Sequence, residues 1–273
     1  MLLLFLNSTP IIYPGVMLAP APHPPRATNV LTVPASEETR LRVFALRRPK
    51  PPGYTLVNTT SRSTSEVWRG LSPFLLGPVE VRTPRGVFVA ANVENAWQYS
   101  KVYRAGPTGV LFVDTAGAPT DAYYAWARAG WANPRPVRFP IGRGARPLYS
   151  LGPNGERLSY IEARRVLYAP WYAGAVEQSA AFVALRALYE TGARVGLVDF
   201  DGWDHVGQNY SLRAVLNSAK PKMGHAFVLA GLLTGDRFWQ APAQAPAQAR
   251  VQALMQAQVP IPDDDPIWVA LGL

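Results

Sequence analysis

Residues 92–103 read NVENAWQYSKVY, and Glu94, Trp97, Gln98 and Lys101 recur there at i, i+3, i+4 and i+7. A helix from Val93 to Tyr103 carries all four along one stripe, because residues three and four apart share a helix face. That face combines an acid, an indole, an amide and an amine. Glu94 and Lys101 are then about 10 Å apart along the axis, too far for a simple helical ion pair and suited to two long side chains bracketing a ligand. The plainer alternative keeps Trp97 in the core and makes the polar residues its wet margin.

Working outward, DAYYAWARAGW (121–131) places aromatics at helical spacing, with Pro134 as the stop. Ser159 and Glu162 form an S-x-x-E capping box opening a helix through Tyr168, which Pro170 should end. Residues 173–190 predict one core helix, with Val176, Ala180, Val183 and Ala187 on a stripe and Gly192 as its cap. VGLVDFD (195–201) predicts a buried strand and KMGHAFVLAGLL (222–233) a buried helix. The expected fold is mainly α with a minor β component.

Prolines dominate residues 18–28 and 46–53, with a strand expected between them at Arg40 to Leu46. The division expected is a proline-rich N-terminal arm (1–53), a catalytic domain (54–238) and an Ala/Pro/Gln linker with a C-terminal helix, VQALMQAQV, and acidic tail (239–273). The arm either wraps the body or binds a partner. PDDDP in the tail reads as a solvated acidic turn.

The chain has 273 residues and a net charge of +9, yet only 16% of its residues are charged, against about 25% in an average domain. With 48% hydrophobic residues it can bury a core, which excludes a disordered polyelectrolyte. The 27 prolines favour short elements and abundant loops. There is no cysteine, which rules out disulfides, thiolate metal centres and a thiol nucleophile. The three histidines, His23, His205 and His225, are too few to suggest a histidine-rich metal site. MLLLFL at the start is shorter than a signal-peptide core, and no apolar run spans a bilayer. A cytoplasmic protein with no membrane contact is expected.

Two further clusters carry possible chemistry. In DFDGWDH (199–205) strand alternation puts Asp199 and Asp201 on one face. Carboxylates there, beside Trp203 and Asp204, suit ribose hydroxyls or acid–base work, while turn and capping roles are the alternative for Asp201 and Asp204. In RFPIGRGARP (138–147), Arg138, Arg143 and Arg146 flank Gly142 and Gly144, a composition that fits phosphate but is also common in surface loops. His225, inside an apolar helix, reads as a bonded core residue, and His205 as the better proton-transfer candidate. No G-x-S-x-G elbow is present.

RGLSPFLLGPV (69–79) followed by NVENAWQYSKVY resembles the opening of the NADAR family, with its Leu-Ser-Asn-Phe motif and a Glu-His-aromatic-Gln segment carrying a Lys three residues later. Leu71, Ser72 and Phe74 match while Pro73 replaces the Asn; Glu94, Trp97, Gln98 and Lys101 match while Asn95 replaces the His. VDFDGWDHVG and KMGHAFVLAGLL resemble later family segments, and the likeness, covering about Trp68 to Thr234, is nearest to a NADAR-like group of phages and bacteria. The resemblance implies a mostly helical N-glycosidase acting, without a cofactor or metal, on ADP-ribose-like or ribosylated nucleobase substrates, including ADP-ribosylated guanine in DNA. It implies Lys101 at the anomeric carbon, through a Schiff base with the opened sugar, Glu94 managing protons or orienting the sugar, and Asp201 acting from the far side. Substrate binding then falls to Trp97, Gln98, Ser72, Phe74, Trp203 and Asp204, with Arg62, Arg69 and Arg143 meeting pyrophosphate or a DNA backbone. Two rivals remain: a nucleotide or DNA-base hypermodification transferase or lyase using the same pocket, and a non-catalytic nucleotide or nucleic-acid binder, for which charge and aromatics suffice.

Overall fold

A computed structural model describes residues 40–240, all within one unit that spans Ala35–Leu273. The expectations for residues 1–39, including His23, and for the linker, helix and acidic tail beyond residue 240 lie outside the described residues.

β1 (Leu41–Ala45) and β2 (Thr55–Asn58) flank β8 (Val195–Asp199) in a three-stranded parallel sheet of order β1-β8-β2. VGLVD of β8 is buried at every position, as a strand paired on both sides and covered on both faces must be. Leu197 is the register partner of both Val43 and Val57. The strand expected within the N-terminal arm is therefore an integral part of the core. Because all three strands run the same way, Ala45, Asn58 and Asp199 finish at one sheet edge. In open α/β sheets the crevice beyond the C-terminal strand ends is where ligands bind.

The remaining β structure is a hairpin, β3 (Val79–Thr83) with β4 (Gly86–Ala90), and a three-stranded antiparallel sheet of β5 (Lys101–Val102), β6 (Tyr149–Leu151) and β7 (Arg157–Leu158). The helices of the described residues are α1 (Glu66–Arg69), α2 (Val93–Tyr99), α3 (Asp121–Ala132), α4 (Tyr160–Ala163), α5 (Ala169–Glu177), α6 (Ala180–Glu190), α7 (Leu212–Asn217) and α8 (His225–Thr234), with a π-turn at Arg164–Tyr168 and loops between them. The fold is thus mixed α/β with three small sheets, not mainly α as the sequence periodicity suggested. The extra strands are two to five residues long, too short to show a clear period, and β5 pairs far along the chain, as Lys101 does with Ser150.

Three helix boundaries depart from expectation for identifiable reasons. α2 stops at Tyr99, and Ser100 donates its hydroxyl to Ala96 O at 2.8 Å; Lys101 leaves the helix and enters β5. Pro170 does not end the helix opened by the Ser159/Glu162 capping box, which is present as predicted. The π-turn bonds Ala169 N to Arg164 O and restarts the ladder, so Pro170 falls at the first turn of α5, where a missing N–H costs nothing. The single helix expected over 173–190 is two, because Ser179 caps a new one by accepting from Phe182 N at 3.1 Å.

α8 is buried along almost its whole length and packs against α5, β1 and β8. All seven residues of α2 are buried. Among the described residues no helix is long and apolar enough to cross a membrane.

Candidate functional site

A cavity of about 350 Å³ opens at the C-terminal edge of the parallel sheet, within the size range of small-ligand sites. The segments that meet there are the loop after β2, the LSPF loop after α1, α2, the loop of Pro136 to Arg143, the stretch from Tyr160 to Tyr168, and the turn from β8 toward α8. Backbone bonds fix their arrangement. Glu94 N donates to Pro73 O at 3.0 Å and Val93 N to Leu76 O at 2.9 Å, tying the LSPF loop to the start of α2. Asn95, fully buried, donates through Nδ2 to Asn133 O (2.7 Å) and Arg135 O (3.0 Å) and accepts from Val137 N (2.8 Å). It thereby holds the loop that carries Arg138 and Phe139 over the cavity.

One wall is aromatic: Trp97 packs against Tyr168 and Tyr160 with centroids 5.2 and 6.2 Å apart, and all three line the cavity. At the mouth the exposed guanidinium groups of Arg62 and Arg138 lie 5.2 and 5.5 Å from the Phe200 ring, and that of Arg143 5.5 Å from Phe139. Cation–π stacking of this kind holds a charged group in place without consuming its hydrogen-bond donors. Arg138 also faces Asp201 at 3.8 Å.

Glu94 sits in the cavity lining only 6% exposed. Burial raises its carboxyl pKa, opposed by a hydrogen bond from Gln98 and by the charge of Lys101. Gln98 Nε2 donates to Glu94 Oε1 at 2.9 Å and Gln98 Oε1 accepts from Lys101 Nζ at 2.7 Å. The amide is thus fixed in orientation by a donor on one side and an acceptor on the other. Burial lowers the Lys101 pKa to about 8, against the attraction of Glu94, with Lys222 and Arg138 adding repulsion. Its ammonium lies 4.6 Å from the Trp97 ring centroid.

Of the residues expected at the site, Glu94, Trp97, Gln98, Ser72, Phe74, Arg62, Arg143 and Asp201 line this cavity. Four do not. Lys101, carried off the helix stripe by the end of α2, stands behind Gln98 and Trp97 rather than in the lining. Arg69 pairs with Glu66 one helical turn away at 2.8 Å, on the surface. Trp203 turns its indole N–H to Lys222 O at 3.0 Å and packs on Phe227. Asp204 pairs with Arg42 of β1 at 3.0 Å and accepts from Gly207 N, the turn role that was its alternative.

Arg164 and His225 also line the cavity and were not expected at the site from sequence. Arg164 is 1% exposed yet lines the cavity. It donates to Ser218 O and Leu216 O (2.6 and 3.3 Å) and to the Tyr160 hydroxyl (2.9 Å), and no carboxylate pairs with it among the described residues. Helical spacing with Ala163, Leu167 and Tyr168 is the signal that places it inward. His225 meets Asp199, one of the two strand-end carboxylates expected to carry chemistry, in the lining. His225 Nδ1 lies 3.1 Å from Asp199 Oδ2, and its Nε2 lies 2.9 Å from Thr59 O and 2.8 Å from Thr59 Oγ1. Asp199 Oδ1 accepts from Phe200 N at 2.6 Å and Oδ2 from Ala226 N at 3.3 Å. Among the described residues no group of three or more Asp, Glu or His side chains is placed to hold a metal ion.

Comparison of the chain with family models, with curated proteins and with solved structures gives no match.

Proposed function

We propose that this protein is an N-glycosidase that cleaves the bond between a phosphorylated ribose and a nucleobase, in a substrate of the ADP-ribose type. One observation carries the reading. A buried carboxyl of raised proton affinity, Glu94, and a solvated, arginine-paired carboxylate, Asp201, line the same aromatic-walled cavity beneath a ring of arginines. Two carboxyl groups in contrasting environments are what acid–base cleavage of a glycosidic bond calls for.

Glu94, with Oε1 held by Gln98, is suited to take a proton from the attacking water, since burial raises its affinity for one. Asp201 provides negative charge opposite the sugar as the base departs and positive charge develops at C1′. Tyr168 and Trp97 supply flat surfaces for the base or ribose. The guanidinium groups of Arg62, Arg138 and Arg143 match phosphate oxygens with paired N–H donors. Arg164 adds a buried cation without a carboxylate partner among the described residues, which favours an anionic ligand in the cavity.

Lys101 has a different role here from the one that the family resemblance implies. Its ammonium bonds to Gln98 Oε1 and stacks on Trp97, so it acts by orienting Gln98 and, through it, Glu94.

The test is to incubate the protein with ADP-ribosylated guanosine, NAD and ADP-ribose and to look for released base by chromatography. Release abolished by Glu94→Gln supports the proposal. Salt-sensitive binding of nucleotide or DNA with no turnover of any ribosyl compound would instead make the protein a binder.

A further inference from the structure

Asp199 and His225 form a buried pair that opens on the cavity, and the hydrogen bonds around it fix how many protons it holds. Asp199 is 3% and His225 6% exposed, and both contribute to the lining. Thr59 O, a carbonyl, can only accept, so the ring nitrogen 2.9 Å from it, Nε2, must carry a proton. Thr59 Oγ1, 2.8 Å from the same nitrogen, is placed to give its own hydrogen to Val198 O at 3.1 Å. It therefore accepts on the histidine side as well. At the other end Nδ1 faces Asp199 Oδ2 at 3.1 Å. A neutral ring protonated on Nε2 would set one lone pair against another at this distance. Both Asp199 oxygens already accept backbone N–H groups, from Phe200 and Ala226, which is the bonding pattern of an ionised carboxylate. The second proton therefore belongs on Nδ1.

We infer that Asp199 and His225 are held as a carboxylate–imidazolium pair and that Asp199 relays this extra proton to the departing base. The inference rests on the N-glycosidase reading for its substrate, and on geometry alone for the proton. Cleavage needs such a donor, because a purine or pyrimidine leaves a sugar as an anion unless its nitrogen is protonated as the bond breaks.

The step balances. The C1′–N bond breaks with its electron pair going to the base nitrogen, which takes a proton from Asp199 while Asp199 takes the Nδ1 proton of His225. Water adds its oxygen to C1′ and gives a proton to Glu94. Return of that proton to His225 resets the site. The titratable and charged groups around the pair are Glu94 from α2, Asp201 from the turn after β8, and Tyr168 and Tyr172. Of these, the Tyr172 ring lies 5.3 Å from the imidazole, and both tyrosine hydroxyls are held protonated by burial.

Nitrogen-15 NMR of the full chain at neutral pH tests this without any substrate. The chain has three histidines, so His23→Gln and His205→Gln, each made singly, assign the His225 signals by elimination. The expected spectrum shows protons on both His225 nitrogens, with the Nδ1 proton strongly shifted downfield by its carboxylate partner. A single protonated nitrogen would overturn the inference. A second arm follows the leaving base: Asp199→Asn should slow guanine release by about 10²- to 10⁴-fold and slow release from a 4-nitrophenyl riboside far less, since nitrophenolate departs without a proton. Equal slowing of both would overturn the relay. If the wild-type protein releases no base from any substrate, the glycosidase reading fails, whereas the proton count on His225 is decided by NMR alone.

Discussion

Gly224 runs so close to Asp199 that a Cβ on it would lie 2.0 Å from Asp199 Oδ2. The backbone of Gly224 has φ −91°, an ordinary value, so glycine is required here by crowding rather than by backbone conformation. It lets the N-terminus of α8 come up to the carboxylate, where Ala226 N and the His225 ring bind it. Gly224→Ala should displace Asp199 and destabilise the protein by about 1–3 kcal/mol, as overpacking of a tight site does. Thermal unfolding measures the loss, and ligand affinity should fall in the same variant.

Glu94 gives a stability prediction with a defined sign. Burial raises its pKa above 4.5 in the folded protein, so ionising it costs more in the native than in the unfolded chain. This penalty is absent below the unfolded value, grows as pH climbs from there, and is complete above the folded one. Glu94→Gln should therefore melt higher than wild type at about pH 8 and no higher at about pH 4, where both forms are neutral. It should also lose about 10²- to 10⁴-fold in base release. Melting curves at the two pH values, set beside an activity assay, check both halves.

Lys101 behaves in the opposite sense. Its pKa falls to about 8 in the folded chain from 10.5, so its charge opposes folding most fully below about 8, and this cost disappears as pH rises to 10.5. Lys101→Met should raise the melting temperature at neutral pH, with the gain fading across that interval. Since the ammonium stands outside the lining, borohydride added during turnover should trap no sugar adduct, and base release should be weakened rather than abolished. A covalent adduct on Lys101 would return it to the anomeric carbon.

How much of this was legible in the sequence depends on the range of the interaction involved. The Ser159/Glu162 box, the apolar run of β8 and the aromatic helix DAYYAWARAGW could be read because each is decided within one or two turns. Glu94, Trp97 and Gln98 could be read as one face from their helical spacing, whereas their grouping with Ser72, Phe74 and Asp201, which the cavity lining shows, was implied only by the family resemblance. Lys101 could not be placed, because its position depends on pairing with Ser150, 49 residues on, rather than on the helical stripe. Pro170 looked like a stop because nothing local announces a π-turn at Arg164–Tyr168. His225 and Asp199 lie 26 positions apart and meet only when α8 packs on β8. His225 was accordingly read as a bonded core residue, which it is, without its partner. Asn95, whose bonds reach 38 to 42 positions along the chain, braces the loop of Arg138.

The arginines at the mouth separate substrate classes. Replacing Arg62, Arg138 or Arg143 singly by Ala should weaken binding of a phosphorylated ribosyl substrate about 10- to 100-fold, the value of a charge-assisted hydrogen bond. An unphosphorylated nucleoside should bind the variants as it binds wild type. Arg69→Ala serves as the control, because Arg69 is paired with Glu66 away from the cavity. Titration of both ligands against the four variants decides the matter.

The most direct test of the whole account is a crystal structure of Glu94→Gln with ADP-ribosylated guanosine bound. The account predicts the ribose C1′ in the cavity between the residue 94 amide and Asp201, the base against Trp97 and Tyr168, and phosphate oxygens on the guanidinium groups of Arg62, Arg138 or Arg143. Density for the compound elsewhere on the protein, with this cavity filled by water alone, would contradict it.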